Sequence, residues 1–341
     1  MSLFERDRSA ERTPVSLITG FLGSGKTTLL NHLLGHPGMA DSAVIVNEFG
    51  EIGLDHLLMA PVAGEVAVMA NGCVCCTVRS DLEETLRGLL AARDAGTVPP
   101  FSRVLIETTG LADPAPIVQM LLNNPLVSHF ARLDAVVTTV DAVHALRQLD
   151  RQPQAVKQVA LADRLLLTKT DLAEAVVLLN QLRALNRAAP ILTVLNGVVD
   201  PSDLFGAALF DPETKSVNAR RWLSEDHEHD HAHEGADHAH GVASFNFRFE
   251  DPLEWDALSR WLTALRQARG EALLRVKGIV TLVGEDAPVA IHGVHHVFHP
   301  PVRLLDWPDG DRASRLVFIT QGLDRAEAQA AAVECGLSET A

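Results

Sequence analysis

The chain has 341 residues, 47% apolar and 21% charged, an ordinary globular composition at a length that suits about two domains of roughly 150 residues each. With 23 Gly and 17 Pro, collagen-like or wholesale disordered chain is excluded. A formal net charge of −15 argues against broad contact with nucleic acid or an anionic membrane, which select basic surfaces, and favours cationic partners.

Residues 1–14, MSLFERDRSAERTP, are charged and lack the apolar core of a signal peptide, so they read as an N-terminal extension. No later stretch reaches the roughly 18 uncharged apolar residues that span a bilayer, and a cytoplasmic protein is expected. From Val15 to about Asn196, short apolar runs alternate with helical periodicity, the pattern of an α/β domain with a doubly wound, mostly parallel sheet, and the GxxxxGK[ST] match at 20–27 makes the expected fold that of a P-loop NTPase. The predicted strands are VSLIT (15–19), AVIVNEF (43–49), VAVMA (66–70), RVLIET (103–108), AVVTTV (135–140), RLLLT (164–168) and ILTVL (191–195). Several are apolar on both faces, as buried parallel strands must be. The clearest predicted helices are Lys26–Leu34, 80–93 and 172–186, with Ser80 placed to cap the second and Glu83 at capping-box spacing.

The pattern changes at 224–241, SEDHEHDHAHEGADHAHG, which holds six His and six acidic residues, no basic residue and no large apolar one. Such a segment cannot bury enough surface to pack and reads as a linker. Beyond it, SFNFRFE (244–250) alternates as a half-buried strand, and 252–269 has helical periodicity. LLRVKGIVTLV (273–283), VAIHGVHHVFH (289–299) and RLVFIT (315–320) read as strands and 324–335 as a helix, giving a smaller C-terminal α+β domain. The expected layout is therefore extension 1–14, nucleotide domain 15–223, linker 224–241 and C-terminal domain 242–341.

The first strand runs into Gly20-Phe-Leu-Gly23-Ser24-Gly25-Lys26-Thr27-Thr28, which satisfies GxxxxGK[ST] in its strand-to-helix context. Glycines let backbone N–H groups converge on phosphate oxygens at a helix N-terminus, Lys26 reaches the β and γ phosphates, and the Thr27 hydroxyl can ligate Mg²⁺. Glu107, ending a later strand, is the acid that would hold Mg²⁺ directly or through water. The following Thr-Thr-Gly110 places a glycine N–H where it can sense the γ-phosphate, so 107–110 reads as a switch. No residue stands out as a water-activating base.

The strand RLLLT ends in Thr168-Lys169-Thr170-Asp171, similar to a guanine-specificity motif with Thr in place of its leading Asn. Asp171 could accept from the guanine amino and ring N–H groups while the Lys169 stem covers the base, a pattern adenine cannot offer. A plain helix N-terminus with Asp171 near its cap is the alternative.

Four cysteines occur, and Cys73, Cys75 and Cys76 fall within four positions, with Cys335 far away. Their spacing disfavours disulfides among themselves and hence a secreted disulfide scaffold. Thiolates bunched at a strand end suit Zn²⁺, Cu⁺ or Co²⁺. Adjacent cysteines rarely all bind one ion, so Glu48, Glu51 or a His would complete a four-coordinate site. A redox switch is the other reading.

GFLGSGKTTLL, VNEFGEIGLD, NGCVCC, ETTGLADP and TKTD, in this order, resemble the CobW-type metallochaperone GTPases, relatives of the nickel-enzyme maturation GTPases. The likeness covers about Val15 to Asn196 closely, and the His-rich linker and small C-terminal domain match the family's architecture. It implies GTP hydrolysis controlling a metal site, with the cysteine segment as a nucleotide-coupled switch, and delivery of zinc, or next cobalt, to a client metalloprotein. One departure concerns the ligands: some members carry Glu before the Asn of NEFG, where this chain has Val46.

His227, His229, His231, His233, His238 and His240 of the linker could capture or buffer metal weakly, since imidazoles bind such ions and neighbouring carboxylates concentrate them; a solvated acidic spacer is the simpler alternative. In 289–299, strand alternation would put His292 and His296 on one face and His295 and His299 on the other, as ordinary strand histidines. Trp222, Trp255, Trp261 and Trp307 read as packing residues. A homodimer is a further candidate assembly. Two rival functions remain open at this level: a metal-buffering protein with nucleotide-gated release, and a P-loop ATPase or kinase.

Overall fold

The computed structural model describes residues 11–48, 66–70, 78–206, 241–304, 307 and 311–339, with side chains at all of these except 47–48, 66–70 and 78–81. The chain divides into two compact units, one holding most of the described residues up to 206 and the other those from 241 onward.

In the first unit β1 (Thr13–Gly20), β2 (Ser42–Glu48), β3 (Val66–Ala70), β4 (Arg103–Glu107), β5 (Ala131–Asp141), β6 (Arg164–Thr168) and β7 (Ile191–Val194) form a seven-stranded sheet. Its order is β3-β2-β4-β1-β5-β6-β7, and neighbouring strands run parallel. Val15, Leu17 and Ile18 of β1 and Val104, Leu105 and Ile106 of β4 are each 0% exposed. This continuous burial is what a parallel strand covered on both faces requires.

Parallel pairing needs crossover connections. They contain α1 (Lys26–Leu34), α2 (Val78–Asp94), α3 (Ala115–Asn123), α4 (Pro125–Ser128), α5 (Ala145–Arg151), α6 (Pro153–Leu161) and α7 (Val176–Leu185), and α8 (Pro201–Leu204) follows β7. The chain passes from β1 outward to β2 and β3, returns to β4 beside β1, and then continues to β5 on β1's other flank. The order therefore reverses around β1, and the crevice for a ligand opens at its carboxyl end. Register sharpens this: Ile18 lies beside Glu107, Gly20 beside Thr139, and Asp141 beside Thr168.

Two helix starts differ from the sequence reading. α2 begins at Val78, so Ser80 lies inside its first turn and is not its cap; Glu83 instead accepts from Asn124 Nδ2 at 2.7 Å. α7 begins at Val176, later than Leu172, because Lys169 adopts a left-handed conformation (φ 57°) and the Leu172 N–H closes a turn onto the Lys169 carbonyl at 3.1 Å.

The second unit contains β8 (Val242–Phe249), α9 (Trp255–Arg269), β9 (Leu273–Val280), β10 (Val289–Val294), β11 (Val297–Phe298), β12 (Val302–Arg303), β13 (Ser314–Gln321) and α10 (Arg325–Glu334). Its antiparallel sheet has the order β11-β10-β9-β13-β8, with β12 also on β10. Alternation in β8 sends Phe245, Phe247 and Phe249 into one aromatic core with Phe318 and Trp261. Trp261 is 0% exposed, meets Phe247 edge-on at 5.1 Å, and donates from Nε1 to the Ala328 carbonyl at 2.9 Å, which ties α9 to α10. Trp255 packs against this core, and Trp307 belongs to a small cluster with Ile279, Ala290 and Leu304. Trp222 lies outside the described residues.

The run 289–299 is not one strand. His295 has φ 52°, and Val294 pairs with Val297 across a two-residue turn, which buries both valines. His292 and His296 therefore do not share a strand face; the backbone N–H of His299 returns to the carbonyl of His292 at 2.9 Å. Among the described residues, no helix is long and apolar enough to cross a membrane.

Candidate functional site

The loop between β1 and α1 sits at the carboxyl end of the central strand. Gly20 has φ 141°, and a Cβ there would lie 2.4 Å from the Thr139 carbonyl oxygen and 2.7 Å from Ser24 Oγ, so both conformation and space demand glycine. Ser24 is 0% exposed, and its hydroxyl pairs with Thr139 Oγ1 at 2.6 Å. That side chain anchors the loop to β5, leaving backbone groups to face a ligand. Lys26 folds its ammonium back over the loop, donating to the Gly20 and Phe21 carbonyls at 3.0 and 3.2 Å. Gly23 and Gly25 are the loop's other left-handed glycines, and Thr28 lies exposed in the first turn of α1.

Thr27 Oγ1 donates to Glu107 Oε1 at 3.2 Å. The pair brings together a hydroxyl and a carboxylate from residues 80 positions apart, and both are hard oxygen donors of the kind a small divalent cation takes. Gly110 follows closely: a Cβ there would stand 2.6 Å from Leu22 Cδ2 and 2.7 Å from the Leu22 backbone nitrogen. The segment after β4 thus lies directly against the phosphate loop.

The loop after β6 is joined to the same place. Thr168 Oγ1 donates to the Ser24 carbonyl at 2.9 Å and is 3.2 Å from the Val140 carbonyl. Lys169 Nζ donates to the Gly23 carbonyl at 2.7 Å and to Asp141 Oδ2 at 2.6 Å. Asp171 is exposed and lines an open depression with Thr170, Leu172, Val176 and Thr193.

Asp141, ending β5, escaped the sequence reading. It is 2% exposed, and besides Lys169 its carboxylate accepts from His144 Nδ1 at 3.0 Å and from the Val143 N–H at 2.8 Å. Burial alone would raise its pKa, but the hydrogen bonds from Lys169, His144 and the Val143 amide, with the charge of Lys169, outweigh it and hold the carboxyl below the usual carboxylate range. An acid at the carboxyl end of a strand next to β1 was the available signal.

The structure therefore brings Gly20, Gly23, Ser24, Gly25, Lys26, Thr27, Glu107, Gly110, Thr168 and Lys169 to one end of one sheet. A model of the CobW/HypB/UreG nucleotide-binding domain matches residues 14–193, and one of the cobalamin synthesis protein cobW C-terminal domain matches 242–336. The chain belongs to the CobW/HypB/UreG family. The Zinc chaperone YjiA of Escherichia coli is 37% identical over 322 residues, spanning 93% of this chain and 96% of that protein. The Zinc chaperone CobW of Pseudomonas aeruginosa is 33% identical, spanning 94% of this chain and 90% of its own. A crystal structure of Zn(II)-bound YjiA GTPase from E. coli, 32% identical, superposes with a TM-score of 0.73 over 96% of this chain and 99% of that one.

Cys73, Cys75, Cys76 and Glu51 lie outside the described residues, as do His227, His229, His231, His233, His238 and His240. Glu48 is described in backbone alone, as the last residue of β2 beside Ala70 of β3. Among the described residues, no three His, Cys, Asp or Glu side chains gather as a metal site.

Proposed function

We propose that the chain is a GTP-hydrolysing metallochaperone that binds zinc, with cobalt as the second choice, at the Cys73, Cys75 and Cys76 segment, with two of its thiolates and Glu48, Glu51 or a His as ligands, and passes it to a client metalloprotein. The observation that carries this reading is the Thr27–Glu107 pair at the mouth of the phosphate loop, at 3.2 Å. In the same register Val46 of β2 lies beside Glu107, while β2 and β3 end together at Glu48 and Ala70. A strand rises about 3.3 Å per residue, so the ends of β2 and β3 lie within a few residues of Glu107, and Glu51 and Cys73 each follow those ends by three positions in the sequence. A change at the γ-phosphate then has a short path to the cargo.

In this reading Lys26 neutralises charge on the transferring phosphoryl group, and the backbone of the loop from Gly20 to Thr28 cradles the phosphates. Thr27 and Glu107 would hold Mg²⁺, which when bound offsets charge on the β and γ phosphates. Gly110 reports the γ-phosphate, and Asp171 selects guanine while Thr168 and Lys169 brace its loop against Ser24 and Gly23. The relatives described as zinc chaperones and as a Zinc-regulated GTPase metalloprotein activator of Schizosaccharomyces pombe support zinc over cobalt. The C-terminal domain is the candidate surface for the client, and the linker histidines are weak capture sites.

GTP and ATP compete for the site in the deciding experiment. GTP turnover that a large excess of ATP does not suppress supports the reading, whereas equal use of ATP returns the chain to the ATPase or kinase alternative. Stoichiometric metal uptake with no client-stimulated turnover would favour a metal buffer.

A further inference from the structure

The segment from Gly110 to Ala112, which abuts Leu22 of the phosphate loop, is also held by α6. Gln158, on α6, donates from Nε2 to the carbonyls of Gly110 at 3.2 Å and Ala112 at 3.0 Å. Because both partners are carbonyl oxygens, the donor must be the amide nitrogen. Gln158 is 1% exposed, and its backbone carbonyl accepts from Thr138 Oγ1 at 2.9 Å, which fastens α6 to β5. The neighbouring Lys157 Nζ lies 2.7 Å from Asp113 Oδ2, and Asp113 Oδ1 accepts the Ala115 N–H that opens α3.

Gly110 itself has no free space before Leu22, whose backbone nitrogen would be 2.7 Å from a Cβ. Holding the Gly110 and Ala112 carbonyls fixes the planes of the two following peptides. Any shift of the segment away from α6 must break two hydrogen bonds, one of them buried. Gln158 Oε1, meanwhile, is buried with no hydrogen-bond partner among the described residues.

We propose that Gln158 is a positioning residue that holds residues 110–112 against the phosphate loop and thereby sets how strongly the protein separates GTP from GDP. This rests on the GTPase reading above, since only a terminal phosphate near Gly110 makes the segment's place matter to the nucleotide. Gln158 acts through the peptide backbone and touches no reacting atom. A side chain of the same length without a donor removes the grip, and a carboxyl restores one donor only when protonated.

The test measures dissociation constants for GDP and a non-hydrolysable GTP analogue, with Mg²⁺, in the full-length wild type, Gln158→Met and Gln158→Glu, each checked for a cooperative thermal transition. Gln158→Met should lose about tenfold in affinity for the GTP analogue, equivalent to about 1.4 kcal/mol, with GDP affinity changed less than about twofold. Gln158→Glu should share the defect near pH 8 and recover part of it near pH 6, because burial raises a carboxyl pKa. Equal losses for both nucleotides, or none, in whichever variant folds would overturn the proposal while leaving the GTPase reading intact. A wild type that binds neither nucleotide overturns both.

Discussion

Lys169 Nζ lies 2.6 Å from Asp141 Oδ2 and 2.7 Å from the Gly23 carbonyl, so one ammonium joins the ends of β5 and β6 to the phosphate loop. The loop after β6 and the loop after β1 are thereby held as one body, and ordering of either should favour the other.

Replacing Asp141 with Asn removes the charge that holds Lys169. With Lys169 36% exposed, the pair should contribute about 1 kcal/mol and about fivefold in GTP affinity. The Asp141 carboxyl titrates below its ordinary value, so its contribution is complete above about pH 4 and disappears as the pH falls through the folded value. Denaturant curves of wild type and Asp141→Asn should differ at pH 7 and converge in acid.

Lys26→Ala leaves the phosphate charge without its fixed cation. GTP turnover should fall at least about 100-fold, with nucleotide binding also weakened, while the fold persists. Unchanged turnover in a well-folded variant would remove Lys26 from the machinery.

Gly110→Ala drives a methyl group to within 2.7 Å of the Leu22 backbone nitrogen. Backbone cannot yield as a flexible side chain does, so the segment must shift, at a cost of about 1–3 kcal/mol. Steady-state hydrolysis should drop about tenfold or more with an unaltered far-ultraviolet spectrum.

Trp261→Ala empties the centre of the aromatic core around Phe247, Phe249 and Phe318 and strands the Ala328 carbonyl. The second unit should lose about 3–5 kcal/mol, read as a lower urea midpoint by its remaining fluorescence and circular dichroism. A loss under about 1 kcal/mol would mean the core re-forms without the indole.

The parallel sheet was legible because strands such as RLLLT are apolar at successive positions, which only burial on both faces explains. The phosphate loop was legible because its glycines and Lys26-Thr27 are contiguous. Asp141 and Gln158 were not, since their roles arise from strand register and helix docking that link residues 28 and 48 positions apart. Thr168 looked like a departure from a guanine motif, yet its hydroxyl holds the Ser24 carbonyl. The turn at His295 was hidden because its two central residues are His295 and His296, with none of the Gly, Asn or Asp that usually marks a two-residue hairpin.

The central claim is that nucleotide state controls the cargo site, and metal affinity at fixed pH measures it most directly. Zn²⁺ is titrated into the full-length protein with a non-hydrolysable GTP analogue, with GDP and without nucleotide, and again in Cys75→Ala and Cys76→Ala. The account predicts one tight site, lost in the cysteine variants, whose affinity rises about tenfold with the GTP analogue, a coupling of about 1.4 kcal/mol that metal must return to GTP binding. Equal affinities in all three states would contradict it.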